Sequence, residues 1–220
     1  MKEKLKKDIL CSSIALASFI IWTVIVCLID VNPIGALGTD VGLSTLNGAF
    51  HRFTGVNMAL YELTDALSII PLAIVVGFAL LGLIQLIKRR SIRRVDVSIL
   101  ILGAYYVVVG AVFLLFEKAV VNYRPILIDG ALEASYPSST TLLVTCVMPS
   151  AIVELKRRIT NKSLSSLFTA ALVAFTAFMV IGRLLSGVHW LSDIIGGALL
   201  STALLLLYRT ALRYVGSYNS

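Results

Sequence analysis

Six apolar stretches, near residues 9–29, 64–87, 95–116, 138–155, 164–181 and 190–208, are each long enough to cross a bilayer. The hydrocarbon is about 30 Å thick, which a helix of roughly 20 residues spans. Lipid offers no partner to the backbone groups of an open strand edge, so such spans are helical. The expected fold is all-α, a polytopic membrane bundle of six transmembrane helices in a single domain over 1–220. Composition agrees, since 58% of the 220 residues are hydrophobic and 14% are charged, against about 45–50% and about 25% in soluble domains. The same figures exclude a disordered chain. Cys11, Cys27 and Cys146 fall inside apolar runs and form neither a disulfide framework nor a metal spacing. No internal repeat is visible, which removes support for a transporter built from inverted repeats.

Lys2, Lys4, Lys6 and Lys7 precede the first run as in a secretory signal. That run exceeds the usual apolar length of about 7–15 residues, and no small-residue cleavage site follows before Asp30, so it is read as a retained helix. Alternate loops then divide the 19 basic residues unequally. One side collects the four N-terminal lysines, Lys88, Arg89, Arg90, Arg93, Arg94, Lys156, Arg157, Arg158, Lys162, Arg209 and Arg213; the other has Arg52, Lys118, Arg124 and Arg183. By the positive-inside rule both termini are cytoplasmic. The net charge of +7 is thus a topology signal, nucleic acid is not an expected partner, and the short basic loops face bilayer lipid headgroups.

Residues 30–63 form an outer loop rich in Gly and too polar to span. Within it Leu43, Leu46 and Phe50 recur at helical spacing, which predicts a short interfacial helix.

The motif-bearing region, 117–193, gathers unusual residues at outer helix ends. Arg124 precedes Pro125, Ser138 and Ser139 follow Pro137 at the start of the fourth span, and Arg183 ends the fifth. Two guanidiniums, hydroxyls and a helix amino terminus together describe an anion site, most naturally for phosphate. His189 and Asp193 are four residues apart, hence expected on one face of the sixth helix. A carboxylate so placed accepts the Nδ1 proton and leaves Nε2 free to attack. Asp193 inside an apolar helix is costly without a partner, which also favours function. Tyr123, Tyr136 and Trp190 flank these motifs and are expected to anchor at the interface. His51 is expected simply to be exposed there, and Glu117, Asp129 and Glu133 either repel anions or pair with Arg124.

These residues resemble the type 2 phosphatidic acid phosphatases (PAP2), membrane enzymes that remove phosphate from lipid phosphates and lipid pyrophosphates. That family shows Lys, six residues, Arg-Pro; then Pro-Ser-Gly-His; then Ser-Arg, five residues, His, three residues, Asp. Here the third motif reads Gly182-Arg183, five residues, His189, three residues, Asp193. The resemblance implies His189 as a nucleophile forming a phosphohistidine, Asp193 as its orienter, and Arg124, Ser138, Ser139, Arg183 and Lys118 as phosphate ligands. It also implies no cofactor. Fixed cations serve phosphoryl transfer, and no carboxylate cluster for magnesium is visible in the sequence.

Three departures qualify it. Thr140 stands where the family histidine donates a proton to the leaving group, a contribution of about 10²–10⁴-fold. Lys118 has five residues before Arg124, not six, which rotates it by about 100° on a helix and puts Glu117 on the expected face. Gly182 replaces a serine and its hydrogen bond. Two readings follow. In one, the chain hydrolyses a lipid pyrophosphate or lipid phosphate at the outer face of a bacterial cytoplasmic membrane; a pyrophosphate suits the missing acid, because its leaving phosphate departs unprotonated. In the other, it is a weak or inactive relative that binds or moves a lipid phosphate.

Overall fold

The structure is a computed structural model that describes residues 2–216, so Met1 and 217–220, which the expected domain includes, lie outside it. Eight α-helices occur among the described residues: α1 Lys2–Leu28, α2 Ser44–Thr54, α3 Met58–Ala66, α4 Ile69–Arg89, α5 Val97–Lys118, α6 Ser139–Arg158, α7 Lys162–Leu185 and α8 Leu191–Gly216. Six segments among the described residues are long and apolar enough to cross a membrane, α3 and α4 counting as one, Met58–Arg89. No strand forms among the described residues, only isolated bridges. The all-α expectation holds. One boundary moves, because the second span starts at Met58 rather than near 64, and the loop before it is correspondingly shorter.

Local chemistry sets several helix starts. Asn57 and Asn161 cap α3 and α7, their side chains accepting the N–H of Leu60 and Leu164, each at 3.0 Å. Asp193 accepts the Trp190 N–H at 2.9 Å, the backward half of a capping box, and so fixes the first turn of α8.

Helices α6 and α8 form the centre: 56% of the apolar window of each is buried, against 6% for α7. They are also the least apolar of the six spans, because their polar side chains turn toward protein rather than lipid. Pro149 removes one backbone donor inside α6. Close by, Ser150 Oγ donates to the Val147 carbonyl at 2.9 Å, and the Tyr105 hydroxyl of α5 donates to the Cys146 carbonyl at 3.3 Å.

One end of the bundle is tied by charge. Buried Glu154 of α6 pairs with Arg158 and accepts from Tyr208 of α8 at 2.8 Å and Ser98 of α5 at 3.1 Å. Asp96 pairs with Arg89 at 2.9 Å, and Arg213 pairs with Asp8, which joins α8 to α1 at the same end. This is the end where the basic loops gather. The opposite end carries α2, α3 and the connection between α5 and α6.

The helix expected around Leu43–Phe50 is α2. It is docked through Asn47, which is fully buried, accepts the Ser192 N–H at 3.0 Å and donates to Ser192 Oγ at 2.9 Å. It therefore sits over the start of α8.

Candidate functional site

The connection from α5 to α6 is a hairpin in all but regular strand pairing. Arg124 donates its N–H to the Glu133 carbonyl at 3.1 Å, and Ser135 donates to the Asn122 carbonyl at 2.9 Å. Its tip is Asp129-Gly130, with φ of 50° and 77°, the pair of positive values that a two-residue type I′ turn requires. One folded segment thus delivers Asn122, Arg124 and Ser135 together beside the start of α8.

Asp193, fully buried, accepts from Ser135 Oγ at 2.5 Å, the Trp190 N–H at 2.9 Å, Ser192 Oγ at 3.3 Å and Asn122 Nδ2 at 3.4 Å. His189 differs from expectation in two ways. It lies in the loop before α8, which begins at Leu191, rather than on a shared helix face. Its Nδ1 is 3.9 Å from Asp193 Oδ2, too far for a hydrogen bond, while Ser135 Oγ sits 3.0 Å from that nitrogen. The cause is local: Asp193 is turned back to cap its own helix, and the hairpin inserts Ser135 between the two.

Arg124, Arg183 and His189 are 7%, 1% and 3% exposed. Six buried side-chain nitrogen or oxygen atoms lack a hydrogen-bond partner among the described residues, and five belong to these three: Nε and Nη1 of each arginine, and His189 Nε2. Both guanidiniums lie over the Tyr61 ring of α3, their carbons 5.8 Å and 4.6 Å from its centroid. Burial, and then the positive charges of Arg124 and Arg183, hold the His189 pKa well below the usual 6.5, so the ring is neutral at neutral pH. Unsatisfied buried donors are rare in proteins, and four of them gather here beside a neutral imidazole.

Each arginine also meets a carboxylate. Arg183 Nη2 donates to Asp65 of α3 at 2.7 Å and to Thr140 Oγ1 at 2.6 Å. Glu133 Oε2 lies 3.1 Å from Arg124 Nε, an ion pair whose angle does not make a hydrogen bond. Thr140, at the position of the family histidine, is thus an acceptor for Arg183. The absence of a side chain at Gly182 has a steric reason, since a Cβ there would stand 2.7 Å from Thr64 Cγ2. That close approach lets α3 bring Tyr61 and Asp65 to the site.

The remaining expected ligands separate. Ser138 is buried and N-caps α6, its Oγ accepting the Thr141 N–H at 3.5 Å. Ser139 lines a cavity of about 40 Å³ with Phe116, Glu117, Arg124, Glu133 and Ser135. Lys118 is exposed at the end of α5 and does not line it, whereas Glu117 does.

Tyr136 and Trp190 are not interfacial anchors, being 1% and 2% exposed. The Tyr136 hydroxyl meets Thr23 Oγ1 at 2.7 Å, and the Trp190 indole donates to the Tyr123 carbonyl at 2.7 Å. His51 is half-buried rather than free at the surface: its Nε2 lies 3.1 Å from the Gly187 carbonyl, and its ring packs near Trp190. Sequence reasoning passed over Asn122, Ser135, Tyr61 and Asp65. Asp129-Gly130 was a signal for the hairpin, but α3 blends into an apolar run and carries none.

Fold and site together define an integral membrane helical bundle with a buried, cation-lined histidine at one end. The PAP2 superfamily model matches residues 117–216, the segment from the end of α5 through α8 that carries the motifs. No curated protein sequence matches significantly. Among solved structures, the chain is similar to the crystal structure of the first transmembrane PAP2 type phosphatidylglycerolphosphate phosphatase from Bacillus subtilis. The TM-score is 0.62 at 16% identity, covering 93% of this chain and 97% of that one. At that identity the likeness speaks for the fold.

Proposed function

We propose that this chain is a lipid phosphatase that hydrolyses a lipid pyrophosphate or lipid phosphate, with His189 as nucleophile and the site on the outer face of the membrane. The carrying observation is the set of five buried nitrogens on Arg124, Arg183 and His189 that make no hydrogen bond. A phosphate dianion supplies acceptors for the four arginine atoms and an electrophile for the fifth. The Nε2 lone pair forms an N–P bond while the bond from phosphorus to the bridging oxygen breaks, and its electrons leave with the lipid fragment. Water then cleaves the phosphohistidine. Fixed guanidiniums stabilise the charge that develops on the equatorial oxygens; a preorganised donor of this kind is worth about 10²–10³ in rate. Both the superfamily match and the fold of a membrane phosphatidylglycerolphosphate phosphatase support the reaction class.

Thr140 favours the pyrophosphate. Its hydroxyl is engaged with Arg183 and has no acidity to offer a leaving alkoxide, whereas a lipid phosphate leaves without a proton. The same feature supports a second reading, a lipid phosphate binder without turnover.

The test is phosphate release by the purified protein in detergent with a chelator present, comparing a polyprenyl pyrophosphate with phosphatidic acid. Slow release, faster on the pyrophosphate, is expected, and His189→Ala should abolish it while leaving the protein folded. Thr140→His should raise turnover more on phosphatidic acid than on the pyrophosphate; equal gains would reject the leaving-group argument. Binding of lipid phosphate without any release would establish the binder instead.

A further inference from the structure

We propose that Ser135 is the positioning residue of the site: its hydroxyl stands between His189 and Asp193 and selects the tautomer that leaves Nε2 free. This rests on the reading of His189 as nucleophile. The geometry is specific. Ser135 Oγ is 2.5 Å from Asp193 Oδ2 and 3.0 Å from His189 Nδ1, while the carboxylate and the imidazole are 3.9 Å apart. A hydroxyl has one proton and two lone pairs. Asp193 Oδ2 has no proton to give when ionised, so at 2.5 Å Ser135 donates to it. The lone pairs that remain can only accept, and the group facing them is His189 Nδ1. That nitrogen therefore carries the imidazole proton, and the unpartnered Nε2 carries the lone pair.

The backbone supports the assignment. Ser135 is 2% exposed, and its N–H is fixed on the Asn122 carbonyl at 2.9 Å. Asn122 in turn reaches Asp193 Oδ1 through its side chain at 3.4 Å. The hydroxyl is thus held by the same hairpin that sets Arg124, and the anion-binding and histidine-orienting parts share one support. As the N–P bond forms, the ring becomes cationic, its N–H to Ser135 strengthens, and the Ser135 O–H polarises toward Asp193. The proton stays on Nδ1, so the serine transmits the carboxylate's field without being consumed.

The chain has two histidines, so ¹⁵N-histidine labelling gives a readout that does not need turnover. In the wild type, nitrogen shifts assigned with a His51→Gln variant should show His189 as the Nδ1–H tautomer, and Ser135→Thr, which keeps the hydroxyl, should preserve it. Ser135→Ala should move the ring toward Nε2–H or a mixture. It should also lower the rate of phosphohistidine formation by about 10–100-fold, by analogy with losing the hydrogen-bond partner that orients a metal-ligating histidine, with KM little changed. Should Ser135→Ala fail to fold, the wild-type and Ser135→Thr spectra still decide. A wild-type Nε2–H tautomer, or one unmoved by Ser135→Ala, overturns the assignment. A correct tautomer without any phosphohistidine would instead reject the phosphatase reading and leave Ser135 as the residue that orients a binding histidine.

Discussion

At the scale of single residues, one departure from the family pattern has a cause in packing. Gly182 lies under α3, and Thr64 Cγ2 occupies the space its side chain would need, at 2.7 Å. Overpacking of this kind costs about 1–3 kcal/mol. Removing a helical glycine returns roughly 0.8–1 kcal/mol, so the clash wins. Gly182→Ser should lower the melting temperature in detergent, and adding Thr64→Ser, which deletes only the colliding methyl group, should restore it. Equal melting of the single and double variants would show that α3 is not held by this contact. His189 provides a pH test. Its pKa is depressed first by burial and then by Arg124 and Arg183, whereas the unfolded chain has the ordinary value of about 6.5. Below that pH the unfolded state binds the extra proton, so the contribution of His189 to stability is full above about 6.5 and falls as the solution is acidified toward the folded value. Neutral nucleophile should likewise persist below pH 6.5, and the ¹⁵N shifts of His189 should stay those of a neutral ring there. A His189 titration centred at or above 6.5 would contradict a buried ring between two cations.

At the scale of elements, the α5–α6 hairpin does the assembling. Gly130→Val puts a β-branched residue at a φ of 77°, where only glycine, asparagine and aspartate sit comfortably. It should displace Arg124 and Ser135 together, with at least a tenfold loss of kcat/KM as an order-of-magnitude expectation, and leave helical circular dichroism unchanged. Gly130→Asn should be tolerated, and equal activity of the two variants would detach the turn from the site. The six spans were legible because hydrocarbon demands long apolar runs, and Arg124, Arg183, His189 and Asp193 because ionisable groups at span ends stand out. The hairpin was hidden by its lack of strand alternation, although Asp129-Gly130 was present. The role of α3 was hidden for another reason: Met58–Ala66 is continuous with the apolar run of α4, and nothing in the sequence tells a helix that roofs a site from the first turns of a span. Trp190 and Tyr136 were misread because interfacial and buried aromatics share the same side-chain chemistry, one apolar body with one polar tip.

At the scale of the whole molecule, the bundle has two chemically different ends. Glu154, Arg158, Asp96, Arg89, Asp8 and Arg213 interlock at one, and the histidine site lies at the other. If basic loops face the cytoplasm, a thiol introduced at Ser91, between α4 and α5, should react with an impermeant reagent only from inside. One at Ala131 on the hairpin should react only from outside, in a background with Cys11, Cys27 and Cys146 replaced. The reverse pattern would invert the molecule in its membrane. The arginines at the site end are not bare at rest, for Asp65 and Glu133 already stand against them. A membrane surrounds such a centre with phosphodiester headgroups, each a single negative charge and far more numerous than any monoester or pyrophosphate. A singly charged headgroup meets cations already part-neutralised by these carboxylates, whereas a dianion brings one further attraction to each cation. The two acidic residues would then act as a threshold against the bulk lipid, keeping the centre vacant in a sea of near-substrates until a doubly charged headgroup arrives.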